Sequence, residues 1–310
     1  MPSVVFGTNN CFAMKRWPEP EEWSAIVSDV GLEYVQFSFD VLDPFMAGDL
    51  DAYDWVREVC EQRGISISSA FTGFVAYSQN FLGHPDEALR SRAQEWYRLA
   101  ISAGARLGVR GVGGHIGAMS VREFEDESQR RRSIQRSREA VLRLAEHAAK
   151  EGLEFLLWEV MPVAREYPAH MDEAEELVSR WTRDAAVPVT LCLDLGHACL
   201  AGGTELERDP YAWLERLGPY ARTIHLQQTD GVFDRHWPFT QEFNANGIIE
   251  PERVVELVSR LPQDEVELML EPVHAFETPD EQVKSDLRES VLFWRPWVEP
   301  RTTREGTSDL

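Results

Sequence analysis

Four side chains that could bind a metal ion lie at the ends of four consecutive apolar segments of the chain. They are Glu159 in LLWEV, Asp194 in LCLDLGH, His225 in TIHLQ and Glu271 in LMLEP. Three carboxylates and one imidazole make an oxygen-rich set that suits Mn²⁺, Mg²⁺ or Co²⁺. Three converging anions would repel one another without a cation, and a cation would leave positions open for substrate oxygens. We therefore predict that these residues bind one divalent metal ion.

Each of these residues has a simpler interpretation when it is considered alone. A carboxylate at the end of a strand often caps the next helix, and a single histidine in a strand is more often a hydrogen-bonded core residue. The metal site is favoured by the set, because all four positions end consecutive predicted strands.

The elements that must position these side chains are short apolar strands alternating with longer segments of helical periodicity. Eight strands are predicted, at Val4–Thr8, Tyr34–Phe39, Ile65–Phe71, Gly111–His115, Glu154–Val160, Thr190–Asp194, Thr223–Gln227 and Glu267–Glu271. Eight helices follow them, at Glu19–Val30, Ala52–Arg63, Asp86–Leu107, Gln129–Glu151, Met171–Asp184, Pro210–Leu217, Pro251–Ser259 and Pro279–Trp294. This alternation predicts an α/β fold, a single-domain (β/α)8 TIM barrel over residues 1–298, with a polar C-terminal tail at 299–310. The C-terminal ends of the strands then meet at one mouth, where the four ligands can converge.

The main competing architecture is an open, doubly wound sheet that binds a dinucleotide. The first predicted strand continues as VVFGTNNCF, which contains a single glycine, and the later GVGGHIG has Ile116 where the GxGxxG fingerprint needs glycine. The phosphate-binding loop of that fold is therefore not indicated.

The charge balance and the apolar pattern exclude several classes of partner. The chain has 31 basic and 53 acidic residues, a formal net charge of −22, so nucleic acid is disfavoured but a small phosphorylated substrate is not. The sequence has no uninterrupted apolar stretch of roughly eighteen residues, so no membrane span is predicted. The first residues lack the pattern of a secretion signal. The four cysteines form no CxxC pair. We expect a cytoplasmic protein.

The segments around the four predicted ligands resemble the xylose-isomerase-like barrel superfamily, in particular its sugar phosphate isomerase/epimerase members and the ketose 3-epimerases. The matching motifs are WEV, LDLGH, IHLQ and LEP, and the eight-unit layout extends the resemblance over nearly the whole chain. The resemblance implies a divalent metal ion bound by Glu159, Asp194, His225 and Glu271. It also implies that His197, three residues beyond Asp194, hydrogen-bonds the substrate.

One position departs from the ketose 3-epimerases, which carry a substrate-binding arginine six residues beyond the histidine of strand seven. Here that position is Gly231, and Arg235 or His236 could substitute for it from the same loop. His115, in GGHIG, points to the same mouth and could bind a substrate hydroxyl. A changed loop is compatible with a substrate of different length, or with one that carries a phosphate.

The resemblance implies chemistry at a ketose whose oxygens are bound by the metal. Glu159 and Glu271 can flank that ketose, so one carboxylate would remove the C3 proton and the other would return a proton from the opposite face. Aldose–ketose isomerisation uses the same residues, with the proton moving between C1 and C2. We favour the 3-epimerisation of a short ketose phosphate, such as an erythrulose phosphate.

Several alternatives remain at this stage. The same superfamily contains metal-dependent dehydratases of cyclic polyols, and hydroxypyruvate isomerase. Endonuclease IV-like repair enzymes share the fold, but they normally gather more metal ligands and present a basic face to DNA, and neither is evident here. The alternative from another functional class is a non-catalytic barrel that binds a sugar without converting it. Barrels of this type often pair, so a homodimer is one expectation.

Overall fold

A computed structural model describes residues 2–299 and shows eight parallel strands that close into a barrel. The strands follow one another around the barrel in chain order, and the first strand pairs with both the second and the last. They are β1 Ser3–Asn9, β2 Tyr34–Ser38, β3 Ser66–Phe71, β4 Gly111–Gly114, β5 Phe155–Glu159, β6 Val189–Asp194, β7 Ala221–Leu226 and β8 Glu265–Leu270. The prediction of a TIM barrel is confirmed.

Helices connect the strands on the outside of the barrel. Within the described residues they are α1 Pro20–Asp29, α2 Asp51–Gln62, α3 Gly73–Tyr77, α4 Glu87–Leu107, α5 Val121–Glu125, α6 Glu127–Glu151, α7 Met171–Asp184, α8 Pro210–Leu217, α9 Gln241–Asn244, α10 Pro251–Val258 and α11 Asp280–Val298. The short helices α3, α5 and α9 were not predicted, and the other eight correspond to predicted helices.

The long helix α4 shows how local sequence sets the bounds of these elements. Asp86 precedes the helix, and its carboxylate accepts hydrogen bonds from the backbone N–H groups of Ala88 and Leu89, which would otherwise lack partners. Gly108 follows the helix with a φ of +74°, a conformation that glycine adopts without steric cost. The helix is thus capped at both ends by its own sequence.

Apolar residues on one face of each helix pack against the barrel. In α7 the buried residues recur at helical spacing and are Met171, Ala174, Leu177, Val178 and Trp181. The ring of Trp181 meets the ring of Trp158 from β5 edge-on, with 4.9 Å between the centroids. Burial of this apolar face fixes α7 against β5 and so supports the strand whose last residue is Glu159.

Two further expectations concern the C-terminal end of the chain and membrane-spanning helices. Helix α11 ends at Val298, and the predicted polar tail at 299–310 lies, apart from Glu299, outside the described residues. Among residues 2–299, no helix combines the length and the apolar character needed to cross a membrane.

Candidate active site

The four predicted ligands come together at the C-terminal end of the barrel. Glu159 and Asp194 are the last residues of β5 and β6, His225 lies in β7, and Glu271 directly follows β8. Asp194 and His225 are register partners on neighbouring strands. One ligand atom from each of the four residues lies within 4.8 Å of the other three, and all four residues are buried.

The Nδ1 atom of His225 is the common neighbour of the three carboxylates. It lies 2.9 Å from Oε2 of Glu271 and 3.5 Å from Oε1 of Glu159. The distance to Oδ2 of Asp194 is 4.0 Å. The imidazole and the carboxylates therefore face one shared point.

The proton on the His225 ring is placed by Gln36. The Nε2 atom of His225 lies 2.7 Å from Oε1 of Gln36, and an amide oxygen only accepts hydrogen bonds, so Nε2 carries the proton. Nδ1 then presents a lone pair to the carboxylates, and this buried atom has no hydrogen-bond partner within residues 2–299. A buried lone pair that faces three anionic groups suits a cation, so these residues fit a divalent metal ion.

A chain of hydrogen bonds inside the barrel fixes the orientation of the Gln36 amide. Glu267 accepts hydrogen bonds on Oε2 from the hydroxyls of Ser69, at 2.8 Å, and Thr223, at 2.9 Å. The Ser69 oxygen, having donated its proton, accepts from Nε2 of Gln36 at 3.1 Å. The amide oxygen of Gln36 is therefore turned towards His225.

Neighbouring amides also hold the carboxylates. Nδ2 of Asn9 donates to Oε1 of Glu271 at 3.0 Å and to Oε1 of Gln36 at 2.9 Å. Nε2 of Gln227 lies 3.0 Å from each carboxylate oxygen of Asp194. Such outer hydrogen bonds orient metal ligands before the ion arrives.

A cavity opens beside the four ligands at the barrel mouth. Its lining combines polar and ionisable side chains with aromatic and apolar groups; the lining residues are Cys11, Phe71, Thr72, Gly73, Phe74, Tyr77, His115, Glu159, Met161, His197, Asp234, His236 and Glu271. Of the predicted substrate-binding residues, His115, His197 and His236 lie in this lining.

His197 is aimed into the cavity by a backbone carbonyl. Its Nδ1 donates to the oxygen of Val160 at 2.9 Å, which leaves Nε2 facing Asp234, 3.3 Å from Oδ2. Burial alone would lower the pKa of His197, but Asp194 and Asp234 hold the pKa well above its usual value.

The loop that follows β7 places His236 against the site. Gln228 and Trp237 form an antiparallel bridge that folds the loop back on itself. His236 has a φ of +48°, which is uncommon for a residue with a side chain. Its backbone N–H donates to the amide oxygen of Gln227, and its Nδ1 donates to the carbonyl oxygen of Glu271 at 3.1 Å. These contacts hold the strained residue in place.

Arg235 was predicted to bind substrate, but the structure does not bring it into the cavity. Its guanidinium pairs with Asp230, at 2.7 Å, and lies over the ring of Trp237, 5.1 Å from the centroid. Gly231, in the position of the family's arginine, has a φ of +71°. An arginine there would have to adopt a left-handed backbone, so this turn is built for glycine.

His115, which directly follows β4, also lines the cavity. Both of its ring nitrogens are buried without a hydrogen-bond partner in the described part of the chain. Burial lowers the pKa of His115 to about 3, so the ring is neutral at ordinary pH. Tyr77 from α3 meets the ring edge-on, with 5.1 Å between the centroids.

Two acidic residues near the cavity were missed by the sequence reasoning. Asp234 lies in the lining, and its Oδ1 accepts from Gln227 at 2.7 Å. Asp234 and His236 are two residues apart in the same loop, and this pair of ionisable residues was a sequence signal that could have identified Asp234. Glu166, in the loop before α7, is buried, and its Oε2 has no partner within residues 2–299; burial raises the pKa of this carboxyl to about 7.

The sequence matches a known family over most of its length. The family model described as "Xylose isomerase-like TIM barrel" matches residues 24–289. The chain is also 27% identical over 314 residues to D-erythrulose 1-phosphate 3-epimerase of Brucella abortus (strain 2308), with 99% of each chain covered. That relative is named as an epimerase, an isomerase that acts on a sugar phosphate.

Solved structures with the same fold include named sugar enzymes. A putative xylose isomerase from Rhodospirillum rubrum ATCC 11170 is 30% identical, with a TM-score of 0.88, 95% of this chain covered and 99% of that chain. D-psicose 3-epimerase from Clostridium cellulolyticum H10 is 15% identical, with a TM-score of 0.70, 96% of this chain covered and 100% of that chain. The second likeness shows the shared barrel alone.

Proposed function

The chain belongs to the xylose isomerase-like TIM barrel family, and we propose that it is a divalent-metal-dependent 3-epimerase of a short ketose phosphate, of the erythrulose phosphate type. The observation that carries the proposal is the convergence of three carboxylates on the Nδ1 atom of His225, which has no hydrogen-bond partner in the part of the chain that the structure describes. The full-length similarity to D-erythrulose 1-phosphate 3-epimerase supports the substrate class.

We propose that Glu159, Asp194, His225 and Glu271 hold the ion. Their mixed oxygen and imidazole donors suit Mn²⁺ and Co²⁺, and Mg²⁺ is compatible with the three carboxylates. When bound, such an ion polarises a ketose carbonyl and stabilises the negative charge that develops on its oxygen.

Glu159 and Glu271 are proposed to move the proton. They come from β5 and from the end of β8, and one oxygen of each lies within 4.8 Å of the other. One carboxylate takes the proton from C3, the C–H electron pair becomes the C2–C3 double bond, and the π pair of the C2 carbonyl moves onto its oxygen, which gives an enediolate. The other carboxyl group then donates a proton to the opposite face of C3, which inverts that centre. Asn9 holds Oε1 of Glu271 and keeps Oε2 facing the reaction.

The remaining cavity residues are proposed to bind and shield the substrate. His197 and His236 line the cavity, and the neutral His115 offers a substrate hydroxyl two ring nitrogens that have no partner among the described residues. Phe74 and Tyr77 contribute apolar surface to the same lining and would help to exclude water from an enediolate that would otherwise be protonated at random. Arg235 is not part of this set, because its guanidinium is engaged with Asp230 outside the cavity.

The test is a screen of four- to six-carbon ketoses, free and phosphorylated, with Mn²⁺-loaded protein in deuterated water. We expect NMR to show exchange of the C3 proton and appearance of the C3 epimer with a short ketose phosphate. Reaction of free hexuloses alone would contradict the phosphate part of the proposal. Release of water without any epimer would indicate a dehydratase, and no C–H exchange with any ketose would overturn the epimerase proposal.

A further inference from the structure

The last helix of the barrel, α11, contacts the two loops that carry cavity residues after β7 and β8. One loop contains His236 and the other begins at Glu271, and both side chains line the cavity. The loops are joined to each other, because the N–H of Val273 donates to the carbonyl oxygen of His236 at 2.9 Å. Nδ1 of His236 donates in turn to the carbonyl oxygen of Glu271. The distance between the two cavity side chains therefore depends on what fixes this pair of loops.

Asp286 of α11 fixes the loop after β8. Its Oδ2 atom lies 2.9 Å from Nε2 of His274, which is three residues beyond Glu271. A carboxylate only accepts hydrogen bonds, so Nε2 carries the proton. Oδ1 of Asp286 accepts from the amide of Gln282, one helical turn earlier. The side chains of His274 and Asp286 are only 8% and 7% exposed, so water competes little for their hydrogen bond.

Ser290, one turn further along α11, fixes the loop after β7. Its Oγ atom accepts the backbone N–H of Phe239 at 2.9 Å and donates to the carbonyl oxygen of Asp286 at 2.7 Å. The ring of Phe239 meets the ring of Trp294 from the same helix edge-on, with 5.2 Å between the centroids. The backbone and the side chain of Phe239, three residues beyond His236, are therefore both attached to α11.

The packing of α11 does not by itself require these polar contacts. Its buried face already carries four apolar side chains, those of Val283, Leu287, Val291 and Trp294. Replacement of a buried polar pair by apolar residues of similar size is often neutral or stabilising. The hydrogen bonds of Asp286 and Ser290 therefore serve the loops that they reach more than they serve the attachment of the helix.

We propose that Asp286 and Ser290 are positioning residues of the active site. Asp286 acts on Glu271 through His274, and Ser290 acts on His236 through the backbone of the loop after β7. Because the two residues fix different loops, their loss has different consequences. A displacement of Glu271 by about 1 Å disturbs proton transfer and lowers kcat, whereas a displacement of His236 weakens substrate binding and raises KM. These kinetic consequences rest on the proposed function, which assigns proton transfer to Glu271 and substrate binding to His236.

Hydrogen–deuterium exchange of the metal-free protein tests the contacts without any substrate. In Ser290→Ala the N–H of Phe239 loses its acceptor, so we expect exchange in the loop after β7 to be about tenfold faster or more. His274→Phe keeps a ring but has no N–H donor, and exchange should become faster in the loop after β8. Leu287→Ala is the matched control, because it removes a buried apolar contact of α11 and neither hydrogen bond. Unchanged exchange in the first two variants, or equal acceleration in the control, would contradict the inference.

Steady-state kinetics with the substrate found in the screen separate the two positioning roles. We expect His274→Phe to lower kcat about 10- to 100-fold with little change in KM. Ser290→Ala should raise KM about three- to tenfold with little change in kcat. His274→Gln keeps an N–H donor for Asp286 and should recover most of the lost kcat. A purely structural role would lower the thermal stability of these variants and of Leu287→Ala without this split, and that result would overturn the inference.

The positioning role and the proposed function fail in different ways. If no ketose reacts, the proposed function is contradicted, and the exchange measurement still decides whether α11 fixes the two loops. If the protein epimerises a ketose but both variants keep kcat and KM unchanged, the proposed function stands and the positioning role is overturned. Circular dichroism checks that each variant is folded. Asp286→Asn, which keeps one oxygen acceptor, replaces His274→Phe if that variant does not fold, and Ser290→Cys, with a weaker acceptor, replaces Ser290→Ala.

Discussion

Nε2 of His225 lies 2.7 Å from Oε1 of Gln36, and this contact joins a predicted metal ligand on β7 to an uncharged residue on β2. The amide accepts the ring proton, so the ligand nitrogen is free on the other side of the ring. The site therefore depends on a residue that touches neither the proposed ion nor the cavity.

Replacement of Gln36 by leucine removes the acceptor while it keeps a side chain of similar size. The Nε2 proton of His225 then loses its partner, the ring tautomer is no longer fixed, and we expect the affinity for Co²⁺ to fall by about 10- to 100-fold. Calorimetric titration of the metal-free variant measures this. Gln135→Leu, at an exposed position of α6, is the control and should bind as the unmodified protein does. Unchanged affinity in Gln36→Leu would refute the role of the contact.

Glu271→Gln should abolish most turnover and largely preserve the fold. The amide cannot accept or deliver a proton, so we expect kcat to fall by roughly 10²- to 10⁴-fold. The control is Glu265→Gln at the start of β8, where the carboxylate pairs with Arg110 and Arg222, away from the strand end that carries the site. Epimerisation rates and thermal unfolding of both variants are the measurements. Substantial activity in Glu271→Gln would remove that residue from the mechanism.

Arg235 and His236 are neighbours in sequence, but only the substitution of His236 is expected to weaken substrate binding. Arg235→Ala loses an ion pair with Asp230 outside the cavity, and a pair this exposed contributes about 0–1 kcal/mol, so we expect KM to change by less than about threefold. His236→Gln changes a cavity-lining residue and should raise KM about tenfold or more, a loss of about 1.4 kcal/mol. Steady-state kinetics with the substrate found in the screen decide between them. A large effect of Arg235→Ala would restore arginine as a substrate ligand.

His115 should make the protein less stable in acid. Burial disfavours the charged ring and lowers the pKa of His115 from its ordinary value of 6.5 to about 3 in the folded protein. Between these values the unfolded chain binds the proton and the folded chain does not, so stability is lost as pH falls below about 6.5. At pH 5 this costs about 2 kcal/mol. Urea unfolding at pH 7 and pH 5 should show a smaller decline for His115→Gln than for the unmodified protein, and an equal decline would contradict the burial argument.

The fold and the convergence of the four predicted ligands could be predicted because their signals are local. Strands such as FLLWE are apolar throughout and end in a charged residue, and parallel strands bring those ends to one mouth. The short helices α3, α5 and α9 span four or five residues, too few for helical periodicity to be visible.

The rest of the site could not be predicted because it depends on contacts that are distant in sequence. Asn9, Gln36 and Ser69 are uncharged, and nothing in their type separates a hydrogen bond to a ligand from ordinary packing. The side chains of Asp234 and His236 are oriented by the loop that the bridge between Gln228 and Trp237 closes. The sequence of that loop has no periodicity from which its conformation could be predicted. Arg235 illustrates the converse, since a cation in a mouth-side loop could have faced the cavity and instead pairs with Asp230.

The closure of the barrel by pairing of β1 with β8 means that its two halves cannot be separated functionally. All four proposed ligands come from the second half of the chain, which could be made as a fragment that contains them all. Asn9, Gln36 and Ser69 come from the first half, so such a fragment would hold the right donors without the amides that orient them. Attempts to evolve or transplant this chemistry should therefore treat the opening three strands as part of the catalytic unit.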